Sequence, residues 1–276
     1  MLREIDERVS RAAAAIAAAD ALVIGAGAGM GVDSGLPDFR GDQGFWTAYP
    51  PFRGRKFAEI SNPVWFSRDP AQAWGFFGHR LRLYRGTIPH AGFELLRRWG
   101  ERAPAGSFVF TSNVDGHFQK AGFAEEHVVE CHGSIHFLQC CRGCTTDIWP
   151  ADGIEILVDE TTIRAVSPLP KCVHCEGLAR PNILMFGDHR WLSDRTERQQ
   201  RRYATWLRGL RGKRLTVIEL GAGLAVPTVR FECEQLGGTL IRVNPRDTQV
   251  PDEAVSLPLG ALDALQRIDA ALQPTQ

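Results

Sequence analysis

The chain has 276 residues, 44% of them hydrophobic and 23% charged, and its 32 basic side chains balance 32 acidic ones. That size supports one large domain or two lobes around a substantial core, and the composition is that of an ordinary globular protein. The neutral balance gives no global field for nucleic acid or an anionic membrane, and no run approaches roughly 18 consecutive apolar residues, so no membrane span is expected.

Ile5, Val9, Ala12 and Ile16 recur at helical spacing, so the first segment reads as an amphipathic helix. Mixed charges precede the Ala-rich stretch and Asp20 closes it, which argues against a secretory leader. An intracellular, cytoplasmic protein without a cleaved leader is the expectation. The seven cysteines agree, since most cluster in a metal-like pattern and do not spread as a disulfide framework.

Ala21-Leu22-Val23-Ile24 reads as the end of a buried parallel strand. Glycines follow at 25, 27, 29, 31 and 35. Glycine lets a backbone approach a ligand closely and take positive φ, and a helix begun after such a turn would aim its free N–H groups at a phosphate. A bare Gly-x-Gly is also what a plain tight turn contains. The tail Pro37-Asp38-Phe39-Arg40-Gly41 adds an acid, an aromatic ring and a guanidinium directly after the turn.

Gly27-Ala28-Gly29 followed by Ser34-Gly35-Leu36-Pro37-Asp38-Phe39-Arg40 resembles the NAD-binding signature of the sirtuins, the NAD-dependent lysine deacylases, here of bacterial type. The later motifs return in that family's order. Residues 44–51, with Gly44, Pro50 and Pro51, read as a loop. A helix is expected over about 62–85, with Trp65, Phe66, Trp74, Phe77 and Leu81 on its apolar face, and another from Pro89 to Gly100. Ser107–Ser112 is a second buried strand that ends on Asn113-Val114-Asp115-Gly116, resembling the family's Thr-Gln-Asn-Ile-Asp-Gly with Ser112 in place of Gln. Val128-Val129-Glu130 is a third strand, leading into Cys131-His132-Gly133, which resembles the family's catalytic His-Gly.

Cys140, Cys141 and Cys144 precede Cys172 and Cys175. Two closely spaced cysteine pairs in a reducing compartment favour tetrahedral zinc, and the stretch between them fits a small β-rich lobe. Cys140 and Cys141 compete for the first place; the family's spacing from the catalytic His favours Cys140, which gives Cys140, Cys144, Cys172 and Cys175 as ligands of one structural zinc. His174 is expected to face solvent. Arg180–Asp188 resembles the strand with which sirtuins hold a substrate backbone, with Phe186-Gly187-Asp188 for the usual Phe-Gly-Glu. Residues 194–210 look like an exposed, basic helix. Thr216–Leu220 and Leu240–Val243 are two further strands, ending at Gly221-Ala222-Gly223 and Asn244-Pro245, where the family's Gly-Thr-Ser hydroxyls and Ile-Asn are altered.

The resemblance implies an α/β fold, a Rossmann-like parallel-sheet lobe with a smaller zinc-binding and helical lobe, in one deacetylase-type catalytic domain. The first lobe is expected from about 1–41, 106–133 and 188–276, the second from about 42–105 and 134–187. It implies NAD as co-substrate, acyl-lysine proteins as partners, no specific nucleic acid and no membrane. His132 would be the general base, with Asn113 and Asp115 orienting the nicotinamide and its ribose. Gly27, Ala28, Gly29, Asp38, Phe39, Arg40, Ser112, Gly221, Gly223 and Asn244 would complete the cofactor site, and Ile183, Phe186 and Gly187 would hold substrate. Phe77 and Arg80 correspond to the Tyr-x-x-Arg pair of the desuccinylase-type subgroup, the tyrosine hydroxyl being absent. The implied reaction removes acetyl, and by way of Arg80 succinyl, groups, releasing nicotinamide and O-acyl-ADP-ribose. Gly31 and Ser112, where the family usually has Ser and Gln, motivate an alternative NAD hydrolase or ADP-ribosyltransferase; a non-catalytic zinc-binding interaction module is a second alternative.

Overall fold

The computed structural model of the chain describes residues 2–38 and 41–273. In chain order, α1 (Leu2–Ala18) leads into β1 (Ala21–Ala26) and a 3-10 helix at Ala28–Ser34. Then come α2 (Gly41–Ala48), α3 (Phe57–Ile60), α4 (Trp65–Arg68), α5 (Pro70–Gly86) and α6 (Ala91–Arg102). β2 (Ser107–Thr111), α7 (His117–Lys120), β3 (Val128–Glu130) and β4 (Gly133–Cys140) follow, with β5 (Trp149–Pro150), β6 (Val158–Asp159), β7 (Arg164–Ala165) and β8 (Ala179–Ile183). The chain closes with α8 (Asp194–Arg208), β9 (Leu215–Leu220), α9 (Thr228–Gln235), β10 (Thr239–Val243), β11 (Val255–Leu257) and α10 (Ala261–Leu272).

Among the described residues, a six-stranded sheet runs in the order β11-β10-β9-β1-β2-β3, and its pairings are all parallel. Side chains alternate faces along each strand. Leu22, Ile24, Val109, Ile218 and Ile241 enter one core with α1, α6 and α10, while Val23, Phe108, Phe110, Val217 and Leu240 enter another with α8 and α9. Both faces are therefore covered, as a parallel sheet requires. From β1 the order runs outward to β2 and β3 on one side and to β9, β10 and β11 on the other. That reversal opens a crevice beyond the carboxyl ends of β1 and β9.

A third core gathers Phe45, Phe52, Trp74, Phe76, Phe77, Leu138 and Ile183 into the smaller lobe, where β4 pairs antiparallel with β5 and β8. The strands expected from sequence are present, that over 180–188 ending at Ile183, and β4 and β11 are additions. Other elements differ. Residues 44–51 are not a loop: α2 and a short 3-10 turn form there because Phe45, Tyr49 and Phe52 are buried in one aromatic cluster, so packing outweighs local propensity. The helix expected over 62–85 is interrupted at Asp69, whose carboxylate caps α5 at the N–H of Gln72 ahead of Pro70. α6 runs past Gly100, and its Phe93, Leu96 and Trp99 lie in the sheet's core. The expected small-lobe stretch 42–105 thus includes a helix that packs with the larger lobe. α8 is not wholly exposed either: Arg195 is buried, paired with Glu125 and Glu130, with its guanidinium 4.1 Å from the ring of Phe137.

No helix of the described residues is long and apolar enough to cross a membrane.

Candidate active site

β1 runs into Gly27 and a 3-10 helix, where a dinucleotide fold would continue as an α-helix. The Gly27 N–H donates to Leu220 O at 3.0 Å and the Gly29 N–H to Gly221 O at 3.1 Å. A Cβ on Gly27 would lie 2.7 Å from Ala222 Cα, and one on Gly221, whose φ is +61°, would lie 2.5 Å from Gly29 Cα. The loops after β1 and β9 therefore meet backbone to backbone, which only glycine permits. Beside them, Thr111 Oγ1 donates to Ala26 O at 2.9 Å, the Asn113 N–H to Thr111 Oγ1 at 3.0 Å, and Asn113 Nδ2 to Gly27 O at 3.0 Å. The end of β2 is thereby braced against the turn.

A cavity of about 1110 Å³ opens over these strand ends, ample for a dinucleotide co-substrate. Of the expected cofactor residues, Gly27, Ala28, Asp38, Ser112, Asn113, Asp115, Gly221 and Gly223 line it. Phe39 and Arg40 lie outside the described residues. Gly29 and Asn244 do not line the cavity, and each braces the loops around it. Gly29 spends its N–H on Gly221. Asn244 is wholly buried, donating through Nδ2 to Ala222 O at 2.8 Å while Oδ1 accepts from the N–H groups of Arg246 and Asp247. Gly31 does not line the cavity, and a Cβ there would lie 3.1 Å from the Leu36 side chain, close enough that the leucine would have to shift. Arg246, not singled out in the sequence, lines the cavity and pairs with Asp38 at 2.6 Å.

His132, between β3 and β4, also lines the cavity. Burial lowers its pKa below the ordinary 6.5, with the Ser112 backbone carbonyl pulling the other way. The ring is thus neutral near neutral pH and able to accept a proton. Asp115 Oδ1 accepts the His117 N–H at 2.9 Å, and the Asp115 carbonyl lies 2.8 Å from His136 Nε2, so the carboxylate is held at the cavity wall.

On the opposite wall, Ile183, Phe186 and Gly187 line the cavity as expected. Phe186 meets the Phe57 ring edge-on at 6.0 Å. Arg180 and Asp188 form a buried bidentate pair, 2.7 and 3.0 Å, which fixes the turn after β8 and explains the acid after Phe186-Gly187. Arg80 is buried, lines the cavity and donates to the Tyr84 hydroxyl. Phe77 packs its ring against the Arg80 guanidinium at 5.7 Å from behind the wall. It is fully buried, stacked on Phe66 at 5.7 Å, and absent from the cavity wall, with core contacts in place of an exposed face. Tyr84 occupies the wall instead; its signal in the sequence was its place four residues after Arg80, on the same helical face.

Remote from the cavity, the Sγ atoms of Cys140, Cys144, Cys172 and Cys175 all lie within 4.8 Å of one another, with Cys140–Cys175 at 3.8 Å and Cys144–Cys172 at 3.6 Å. Tetrahedral zinc with sulfur bonds of about 2.3 Å places its thiolates about 3.8 Å apart, so the donor set fits zinc. Cys141 stands outside the cluster, packed against the small-lobe core. His174 is exposed and pairs with Asp147 at 2.8 Å.

The Sir2 family model matches residues 27–203. An NAD-dependent protein deacylase of Deinococcus radiodurans is 32% identical over 253 residues, covering 90% of this chain and 93% of that protein. The mitochondrial NAD-dependent protein deacylase sirtuin-5 of Danio rerio is 32% identical over 178 residues, covering 59% of this chain and 55% of that protein. A solved Sir2 homologue, a serine-to-alanine mutant in complex with ADP-ribose, superposes with a TM-score of 0.68 at 25% identity, covering 96% of this chain and 98% of that one.

Proposed function

The chain belongs to the Sir2 family and is an NAD-dependent protein deacylase, and from that premise we propose how its own residues divide the work. The observation that carries the assignment is convergence: Gly27, Asn113, Asp115, His132 and Gly221, delivered by the ends of β1, β2, β3 and β9, line one cavity whose other wall is the turn after β8.

NAD, when bound, supplies a ribose electrophile with nicotinamide as its leaving group. The glycine contacts of the β1 and β9 loops leave a cradle without side chains for a diphosphate. Asn113 and Asp115 orient the nicotinamide end, and the enclosing walls hold bulk water back from the reacting atoms. His132, kept neutral by burial, takes a proton from a hydroxyl presented in the cavity. Ile183, Phe186 and Gly187 hold the acyl-lysine protein substrate. Arg80 and Tyr84 face its acyl group, which supports acceptance of an acidic acyl chain beside acetyl. The four-cysteine zinc site has no open coordination position, so zinc supplies structure. Reduced, metal-binding cysteines support a cytoplasmic location. We read the chain as one catalytic domain of two lobes around this cavity.

The test is nicotinamide release from NAD by the purified protein with acetyl-lysine, succinyl-lysine and unmodified peptides. Release that requires an acylated peptide is the expected result. Equal release without any peptide would replace the deacylase reading with an NAD hydrolase.

A further inference from the structure

Thr228 Oγ1 lies 3.4 Å from His132 Nε2, although Thr228 does not line the cavity. We propose that Thr228 is a positioning residue for His132: its hydroxyl donates to Nε2 in the resting site, fixes the ring's plane and tautomer, and yields the lone pair when a co-substrate hydroxyl arrives. The inference rests on His132 as the base.

Thr228 is the first residue of α9, preceded by Pro227, whose carbonyl accepts the Phe231 N–H at 3.0 Å. The helix has no room to slide on the sheet. A Cβ on Gly25 in β1 would lie 2.2 Å from Cys233 Sγ and 3.2 Å from Val229 Cγ1, both on α9, so helix and strand are in direct contact at a glycine. Val229, next to Thr228, is buried in the same core. The hydroxyl is therefore delivered by a rigid element.

A neutral imidazole carries one N–H and one lone pair. A hydroxyl that donates to Nε2 leaves the ring's one N–H on Nδ1 and holds the tautomer that general-base work at Nε2 requires. At 3.4 Å the contact is long for an O–H···N bond, so a better-placed hydroxyl from the cavity displaces it readily. Burial dominates the shift in the ring's proton affinity, and no charged side chain of the described residues is among its causes. A donor to Nε2 is therefore readable against a quiet background.

The experiment uses the full, zinc-loaded chain with NAD and an acetyl-lysine peptide, measuring kcat, KM and the pH profile for Thr228→Val, Thr228→Ser and His132→Ala. Thr228→Val is expected to lower kcat roughly three- to tenfold with KM for NAD within about twofold. It should also move the acid limb to higher pH, because the neutral ring has lost the donor that stabilised it. Thr228→Ser should restore both. If Thr228→Val does not fold, Thr228→Ala carries the same readout without overfilling the site. An unchanged kcat and acid limb, or a kcat loss that Ser does not rescue, overturns the inference while an inactive His132→Ala leaves the base assignment standing. An active His132→Ala overturns the base assignment itself.

Discussion

Arg80 donates to the Tyr84 hydroxyl through Nε at 3.0 Å and Nη2 at 2.9 Å, so guanidinium and phenol reach the cavity as one unit. The rings of Phe57, Phe76, Phe77 and Tyr84 surround the cation at 5.3 to 5.9 Å. In so apolar a setting a carboxylate is attracted more strongly than in water. Succinyl-lysine should therefore be processed beside acetyl-lysine. Arg80→Met is expected to lower the succinyl-to-acetyl rate ratio by more than about tenfold, and Tyr84→Phe by roughly two- to tenfold. Paired peptide assays read both ratios. An unchanged ratio in Arg80→Met would remove Arg80 from the acyl end of the cavity.

Phe77→Tyr tests the same wall from behind. Homology to the Tyr-x-x-Arg pair suggests that the added hydroxyl would raise succinyl turnover. The buried, stacked position of Phe77 indicates the reverse: an added atom forced into a close-packed aromatic core, destabilising by about 1–3 kcal/mol. A lower thermal transition with no gain in the succinyl-to-acetyl ratio is expected. A raised ratio would show that the side chain reaches the acyl group.

His132→Ala should abolish acyl transfer while NAD still binds, measured by rate and by calorimetry. The pH dependence follows from burial. A folded-state pKa below 6.5 keeps the imidazole neutral, and hence basic, further into acid than a free histidine. The acid limb of kcat/KM should fall below the ordinary histidine value, and a limb at or above it would contradict the burial argument.

Metal analysis should find one zinc per chain. Cys172→Ser should lose it and unfold the small lobe, because structural zinc supplies folding energy. Cys141→Ser should keep the metal, since its thiol lies outside the four-sulfur cluster. Equal zinc loss from Cys141→Ser and Cys140→Ser would overturn the ligand set.

Much of this site was legible because strands deliver polar residues at their ends. Asn113, Asp115 and His132 each follow a short apolar run, and the topology brings those runs side by side. The cysteine pairs were legible for a similar reason, since thiolate spacing reports its own geometry. Side chains on a helix were harder. Phe77 and Tyr84 stand three residues before and four after Arg80, so both share its face, and only the tertiary packing decides which end of that stripe meets the cavity. Gly100 misled in another way. It suggested a helix end, yet a Cβ there would lie 2.1 Å from Ser107 Oγ. The glycine serves a close approach between α6 and β2, and the helix continues through it. Thr228 gave no signal at all, because its relation to His132 joins residues 96 positions apart.

β4 begins beside His132 and ends on Cys140, eight residues later. A single strand, roughly 25 Å long if fully extended, joins His132, the proposed base, to the four-cysteine cluster, and its partner β8 leads to Ile183 on the cavity wall. On that reading the cysteine cluster anchors a beam whose far end holds the proposed base. A chelator that inactivates the enzyme would be reporting slack in that beam, and the lost activity should track the loss of small-lobe structure step for step.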